Sequence, residues 1–595
     1  MAAKSGALTK TGEKAGAGER EGAAEERGRS FMKSLLEGRL EAGLVFPYPR
    51  QGAEARETLD LVLETFREWA ADHLDGAAID RAGVFPKTQV QELAGMGLLG
   101  MTVPEEYGGA GLPITSYCRV MEEICRHCAA TATIVGAHLG IGSKGIVHYG
   151  SEEQKRRWLP AVAKGELLCS YALTEPGSGS DAASLQTRAV WDPKRRVHVL
   201  NGTKRFITNG GHAGLFTVFA RGDVGGKDKI SAFIVTRDLP GVVTGREEEK
   251  LGLKGSSTTD LVLQDVPVPE ANLLGEPGRG FKYAMEILND GRISLAAGSV
   301  GVAREMIDRA VAGAKERRQF GRPIAEFEMI RGKVAEMMTG TWAAESMVYL
   351  TTGLAERDGV DYSLESALCK IFSSENAWRV VNHAVQIAGG NGFIKEYPYE
   401  RFLRDCRINM IFEGTNEILR VFAALSGLQR VGEDLKKVGH ALKDPISEIG
   451  VLADYAVRHL KRAVSDEAFP DIAPPLQRTA ARAAHYAGEL ASAAEKALRE
   501  HGKGILEREF VQDRLTEAAA DLYALIACLS RANTRIQEDG AAAARREILL
   551  TRTFGNAAWR RIRRNLYQMG KNQDANLVRV SDLAYETGGY GQDSR

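Results

Sequence analysis

No apolar run in the 595-residue chain approaches the ~20 residues that a membrane-spanning helix needs, so no transmembrane segment is expected. An excess of charge is missing too. The 78 basic residues stand against 78 acidic ones, which removes nucleic acid as an expected partner. Cysteine is scarce. Its seven residues (Cys118, Cys125, Cys128, Cys169, Cys369, Cys406 and Cys528) are odd in number and lack the spacing of a disulfide framework. Reduced thiols in a reducing compartment are therefore expected. "CRHC" at Cys125–Cys128 has no second CxxC and no HxxxH to complete a zinc site; it reads as helix, and no metal is expected. With 18 prolines, 44% hydrophobic and 26% charged residues, the composition is that of a globular protein. A chain this long exceeds a single core, and two to four domains are expected.

The first thirty residues carry too many glutamates for a transit peptide and no apolar stretch for a secretory signal. Residues 1–30 therefore read as a solvated, disordered tail, and a cytoplasmic location is expected, with peripheral contact to the inner membrane as its variant. Residues 31–168 recur at three and four positions, as in "TLDLVLETFREWAADHL", and read as a helical domain. From 169 to 284 the texture changes to short β-branched runs such as "KISAFIVTRD" and "LFTVFARG", punctuated by Gly, Asn and Pro. That pattern predicts an antiparallel β domain. Long helices return over 285–430 as a four-helix bundle, and 431–595 is an extra helical domain broken by "FPDIAPPL". The fold class is α+β multidomain, without solenoid repeats.

Several loops carry chemistry. In "YALTEPGSGSDAASL", Gly177, Gly179 and Ala182 match the G-x-G-x-x-A spacing of a dinucleotide turn. Pro176 in the turn and the absence of a strand–helix–strand unit exclude that reading. A small-residue loop remains, able to approach a ring or a phosphate closely. "RFITNGG" places an aromatic and a Thr before an Asn-Gly turn. "ERRQFGRPI" puts Arg317 at a helix end, where a cation suits the dipole and an external anion. "QIAGGNGF" ends another helix in glycines. Each motif alone is adequately read as a turn or a cap.

Together with "IFEGTNEILR", these stretches resemble the acyl-CoA dehydrogenase family. "SFMKSLLEGRLEAGLVFPYP", "VGAHLGIGSKGI" and the extra C-terminal helices resemble its very-long-chain branch, including the relative that assists complex I assembly. The resemblance implies FAD, lined by Tyr171, Leu173, Thr174, Gly179, Ser180, Phe206, Ile207 and Thr208, with Phe206 where many members carry Trp. It implies that Arg317, Gln319, Phe320, Gln386, Gly389 and Gly390 reach a flavin in the neighbouring subunit of a homodimer. Thr415 and Asn416 would also touch the cofactor. Ser180, Asn289, Asp290, Gly291 and Arg292, with Phe412 and Gly414, would contact acyl-CoA, and electrons would pass to electron-transferring flavoprotein.

The same resemblance makes Glu413 the base that removes the proton next to the thioester. Elementary chemistry agrees. A carboxylate with pKa ~4.3 is too weak for a C–H proton, and Met410, Ile411 and Phe412 offer an apolar setting that would raise it. The following helix start opposes the rise by only ~0.3–1 kcal/mol. Glu417, a turn later, reads as a solvent-facing first-turn residue. Some members carry the base on the helix matched by "NDGR"; here Gly291 and its neighbours offer Asp290 but no Glu. Gly136, Ala137 and Gly140 leave room for a long acyl tail, or serve equally well for close helix packing. The stripe Ile446, Ile449, Ala453, Ala456, Leu460 and the basic "WRRIRRNLYQM" suit helix packing first and an anionic membrane second. The leading expectation is long-chain acyl-CoA dehydrogenation; an acyl-CoA oxidase and an assembly protein with residual chemistry are the alternatives.

Overall fold

The computed structural model describes residues 28–441 and 469–591. Helices α1 (Phe31–Leu36), α2 (Ala42–Val45), α3 (Ala53–His73), α4 (Gly76–Ala82), α5 (Lys87–Gly95), α6 (Ile114–His127), α7 (Ala129–Gly136), α8 (Lys144–Tyr149) and α9 (Glu152–Ala163) build the N-terminal part. Local chemistry starts them. Asp75 accepts the amide hydrogens of Ala77 and Ala78 at the head of α4, and Ser151 forms a capping box with Gln154 at the head of α9. Past α7, "AHLGIG" widens into a π-helical turn, Ala137–Gly142. A Cβ at Gly142 would lie 2.6 Å from the Ala137 carbonyl oxygen, so glycine is what lets the turn close. Buried His138 ties this turn to the sheet. Its Nδ1 accepts the Cys169 amide hydrogen at 3.0 Å and its Nε2 donates to the Leu99 carbonyl at 3.0 Å. Burial pushes the imidazole down to about 4, so it stays neutral and structural.

The strands are β1 (Cys169–Ala172), β2 (Arg188–Asp192), β3 (Val197–Thr208), β4 (Leu215–Asp223), β5 (Asp228–Thr236), β6 (Val242–Glu247), β7 (Thr258–Pro269) and β8 (Leu273–Leu274), in the order β6-β7-β3-β2-β4-β5-β8 with β1 beside β4. The sheet is mixed rather than purely antiparallel. β1 runs parallel to β4, and β2 touches β4 in parallel at Arg188 and Arg221, because the loop after β1 crosses over instead of turning back. Between Lys204/Leu261 and Ile207/Thr259, two residues of β3, Arg205 and Phe206, face one of β7, Asp260. Phe206 sits in this bulge with φ 58° and is 56% exposed. The bulge therefore turns an aromatic ring out of the sheet.

Helix α10 (Gly280–Glu316) runs for 37 residues, ~55 Å, and packs against α6, α11 (Glu328–Ala355) and α12 (Ser363–Ala388). α13 (Gly390–Phe393) and α14 (Tyr399–Cys406) lead to α15 (Asn416–Ala441). The extra domain contributes α16 (Gln477–His501), α17 (Glu509–Ala543), α18 (Arg545–Gly570) and α19 (Asp574–Thr587), with α17 packed among α18, α11 and α15. Arg420 of α15 is held by Glu375 and Glu517, and Arg561 of α18 by Asp521. "WRRIRRNLYQM" lies in α18, where Ala558 and Ile562 are buried while Arg560, Arg563 and Arg564 face solvent. The stripe from Ile446 to Leu460 and residues 1–27 lie outside the described residues. Arg29 and Ser30, expected within the tail, are instead bound. The Arg29 amide donates to Gly359 O at 2.9 Å, and Ser30 caps α1. Among the described residues no helix is long and apolar enough to cross a membrane.

Candidate active site

A cleft of about 310 Å³ opens where β1, the β3 bulge, α6, α7, α10 and the segment before α15 converge. One end is walled by Tyr171, Leu173, Thr174, Gly179, Ser180, Phe206, Ile207 and Thr208, which lie in two separate stretches of the sequence. Gly179 faces open space, so nothing but its missing side chain stands between the loop and a flat ligand. The loop itself is stiff. Glu175 and Ser178 exchange backbone hydrogen bonds at 2.9 and 3.1 Å around Pro176–Gly177, and the Arg205 amide donates to Thr174 O at 2.8 Å.

What stiffens the loop was not singled out from sequence. Glu175 is buried, accepts Lys204 Nζ at 2.7 Å and the Thr187 amide hydrogen at 2.9 Å, and takes a further hydrogen bond from the Thr187 hydroxyl. Burial favours its neutral form, but these donors hold it below the usual carboxylate range. Burial also pushes Lys204 down to about 8 against the attraction of Glu175. The signal that could have found the pair is a lysine four residues after Leu200, in phase with the buried face of the strand. Lys204→Met leaves a buried carboxylate uncompensated, a loss of about 3–5 kcal/mol; the denaturation midpoint falls and the 174–180 loop loosens, checked by chemical unfolding and by protease cleavage within the loop.

At the other side of the cleft, Glu413 precedes α15 in a left-handed conformation, φ 56°, followed by Gly414 at φ 90°. Its Oε2 is shut off from solvent and has no hydrogen-bond partner. Gly291 of α10 lies directly against it. A Cβ there would sit 2.8 and 2.9 Å from the two carboxylate oxygens and 2.8 Å from Ile141 Cγ2. Arg292 donates through Nε to Glu413 O at 3.2 Å and through Nη1 to Asn289 Oδ1 at 3.0 Å. Burial pushes Glu413 up to about 7, with Arg292 and Lys370 pulling it back. No acceptor among the described residues takes the Glu413 amide hydrogen. An unpartnered carboxylate near neutrality, aimed into an apolar cleft, is equipped to take a proton.

From Glu413 the cleft follows α10 past Arg292, Leu295, Gly298 and Val302, roughly 15 Å of helix. Met121, Cys125, Ala129, Ala132, Thr133, Gly136 and Ala137 form the facing wall. Gly140 is not part of it; a Cβ there would meet Tyr117 Oη and Ser294 Oγ, so this glycine serves helix packing. Asp405, also missed, lines the cleft with its Oδ1 tied to the Leu253 amide at 2.6 Å. Burial pushes it up to about 6, which makes it the rival carboxylate.

The other expected site residues divide between the cleft and its surroundings. Phe412 and Gly414 line the cleft, and Thr415 caps α15 by accepting the Ile418 amide hydrogen. Asn416, expected at the cofactor, is instead buried, bonded to Lys370, Ser374 and Glu375. Asp290, expected at the substrate, points away from the cleft. It is buried against Tyr362 Oη at 2.7 Å, His148 at 3.1 Å and Lys144 at 3.6 Å, because successive helix positions face about 100° apart. Arg317, Gln319, Phe320, Gln386, Gly389 and Gly390 gather outside the cleft, on the surface. Arg317 Nη1 donates to Ala388 O at 3.1 Å and packs on Gly389. Phe320 and Gly321, at φ 51° and 80°, form the tip of the hairpin β9 (Arg318–Gln319)–β10 (Arg322–Pro323), leaving Phe320 94% exposed.

Family models match in the same order as these elements: "Acyl-CoA dehydrogenase, N-terminal domain" over 56–166, "middle domain" over 170–266 and "C-terminal domain" over 278–426, then "ACAD9/ACADV, C-terminal domain" over 474–590. The chain is 40% identical over 549 residues to the very long-chain specific acyl-CoA dehydrogenase, mitochondrial, of Homo sapiens, covering 90% of this chain and 84% of that protein. It is similar to the crystal structure of acyl-CoA dehydrogenase complexed with FAD from Bacillus anthracis, with a TM-score of 0.78, 34% identity, and 93% and 94% of the two chains covered. A structure described as the electron transferring flavoprotein of Acidaminococcus fermentans matches 64% of this chain and 99% of its own, at 37% identity and a TM-score of 0.60. With four domain models matched in order and a relative 40% identical over nine-tenths of its length, the chain belongs to the acyl-CoA dehydrogenase family, FAD-dependent oxidoreductases acting on CH–CH bonds.

Proposed function

We propose that the protein dehydrogenates long or very-long-chain acyl-CoA to the trans-2-enoyl-CoA and passes the electrons to electron-transferring flavoprotein. The observation that carries the reading is the unpartnered Glu413 Oε2 in a cleft that joins a small-residue loop and an outward aromatic at one end to a long apolar channel at the other. The residues fit a flavin. Gly179 and Ser180 leave open backbone, Phe206 offers a ring face, and Thr174 and Thr208 offer hydroxyls. FAD, when bound, supplies the acceptor for the hydride leaving the β-carbon. Glu413 takes the α-proton at Oε2, and the electron pair of that C–H bond becomes the new double bond. In this reading the Glu413 amide, which has no acceptor among the described residues, donates to the thioester carbonyl, where negative charge develops. Arg292 fixes the Glu413 carbonyl, and the apolar wall excludes water.

The exposed cluster around Arg317, Phe320 and Gly389 is completed by the flavin of a second copy in a homodimer, which also covers Phe320. Anaerobic mixing with acyl-CoAs from about C4 to C20 tests the substrate assignment. Bleaching strongest at long chains supports it, and bleaching only at short chains overturns it. Reoxidation by electron-transferring flavoprotein supports the acceptor, whereas peroxide at the turnover rate makes the protein an oxidase. A chain-length test follows from Gly136, where a Cβ would already lie 3.3 Å from Met121 Cε. Gly136→Leu narrows the channel and lowers kcat/KM for palmitoyl-CoA relative to octanoyl-CoA by about 10-fold or more, measured side by side. We place the protein in the cytoplasm, at most peripheral to the inner membrane. The 474–590 match to the ACAD9/ACADV C-terminal domain is the observation favouring an added assembly role, tested by recovery of respiratory subunits with the tagged protein from native membranes.

A further inference from the structure

A buried ammonium stands where a helix least favours one. Lys370 of α12 is wholly buried, and its Nζ lies at the first residues of α15, donating to Gly414 O at 2.8 Å and to Asn416 Oδ1 at 2.8 Å. A helix N-terminus prefers anions, and a buried cation is costly unless paired. Neither helix stability nor core packing explains a lysine here, since an apolar side chain of equal length would suit both.

What the ammonium touches is the turn that bears Glu413. Glu413 and Gly414 are both left-handed, at φ 56° and 90°, a conformation a glutamate rarely adopts. The carbonyl of each is held by a buried cation: Arg292 on Glu413 O at 3.2 Å, and Lys370 on Gly414 O. Asn416, which shares the ammonium, is itself held by Ser374 Oγ at 3.1 Å and Glu375 Oε1 at 3.0 Å. The two cations come from α10 and α12, so the turn is clamped between helices of the bundle.

We propose that Lys370 is a positioning residue for Glu413, holding the 413–416 turn in the left-handed form that lays the carboxylate against Gly291 and into the cleft. The inference rests on Glu413 being the base. The charged and titratable groups around the pair are Arg292 of α10, Glu375 of α12, Glu417 of α15, Tyr171 of β1 and Tyr117 of α6. Burial pushes Lys370 down to about 7 while Glu413 pulls it up, and the Lys370 charge in turn eases ionisation of Glu413. Removing the ammonium leaves the carboxylate harder to ionise, so its titration moves to higher pH.

The test is Lys370→Met in the FAD-loaded full chain, beside Glu413→Gln, with palmitoyl-CoA as reductant and pH varied from about 5.5 to about 9. Expected for Lys370→Met are a kcat lower by about tenfold or more, a KM within about threefold, unchanged FAD content, and an acid limb of kcat/KM displaced to higher pH. A merely structural lysine would lower the thermal midpoint and leave the limb in place; parental kcat and limb overturn the proposal. If Glu413→Gln keeps the reaction, the base assignment fails whatever Lys370 does. Should Lys370→Met not fold, Lys370→Gln, which retains an N–H for Gly414 O without the charge, is read the same way. If neither variant folds, Lys370 is a core requirement and the proposal is overturned.

Discussion

Glu413→Gln is expected to bind FAD and palmitoyl-CoA as the parent chain does, and to reduce its flavin about 10³–10⁴-fold more slowly. Gln keeps the shape, so the fit against Gly291 and Ile141 is preserved, but the amide cannot accept the α-proton. The parent enzyme should show kcat/KM falling below a limb near pH 7, where burial has placed the carboxylate, because only the ionised form is a base; the variant should lose that limb. A stability readout runs independently of turnover. The carboxyl is raised above its unfolded value of 4.5, so ionising it weakens the folded state as pH climbs from the unfolded value towards the folded one. Glu413→Gln therefore gains thermal stability relative to the parent above pH 7 and not below pH 4.5. Retained flavin reduction would move the chemistry to Asp405, the other carboxylate in the cleft, whose Oδ1 is already committed to the Leu253 amide.

Sequence carried a large part of this site because its chemistry is local. "MIFEGTN" contains the carboxylate, its apolar neighbours, the glycine that permits the sharp turn and the threonine that caps α15. "ERRQFGRPI" marks the helix end at Arg317, although the two-residue hairpin that follows, with Phe320 and Gly321 at positive φ, was not read from it. The helix–sheet–helix order was equally legible, since a change of hydrophobic period needs no partner to be seen. What sequence could not show depends on contacts far apart in the chain. The parallel placement of β1 against β4 is set by a crossover, which composition does not encode. The bulge at Phe206 exists only in the register of β3 on β7. Asp290 and Arg292 share the motif "NDGR" yet face opposite directions, a matter of helix phase relative to α8. Gly140 and Gly136 look alike in "VGAHLGIG", and the π-helical turn between Ala137 and Gly142 decides which one meets the cleft. Lys370 stands 43 residues before Glu413 in sequence, and nothing in "ALCKIFSS" announces what its ammonium holds.

Gly291 offers the sharper question, because it separates the place of the base from its identity. Ala at this position should help α10 locally, as glycine in a helix interior is about 0.8–1 kcal/mol less favourable. Its Cβ, however, would occupy space 2.8–2.9 Å from both Glu413 oxygens and 2.8 Å from Ile141 Cγ2. All three atoms are the far ends of flexible side chains, so they can yield while the backbone stays. Gly291→Ala is thus expected to fold with a thermal midpoint near that of the parent and to retain FAD, while kcat falls on the order of 100-fold, the usual consequence of moving a reacting group by about 1 Å. The acid limb should persist, since the carboxylate is present but displaced. This is the opposite pattern to Glu413→Gln, in which the place is kept and the proton acceptor is lost. Parental kcat in Gly291→Ala would show that the gap beside the carboxylate does not govern where the base works, and the geometric half of the mechanism would have to be abandoned.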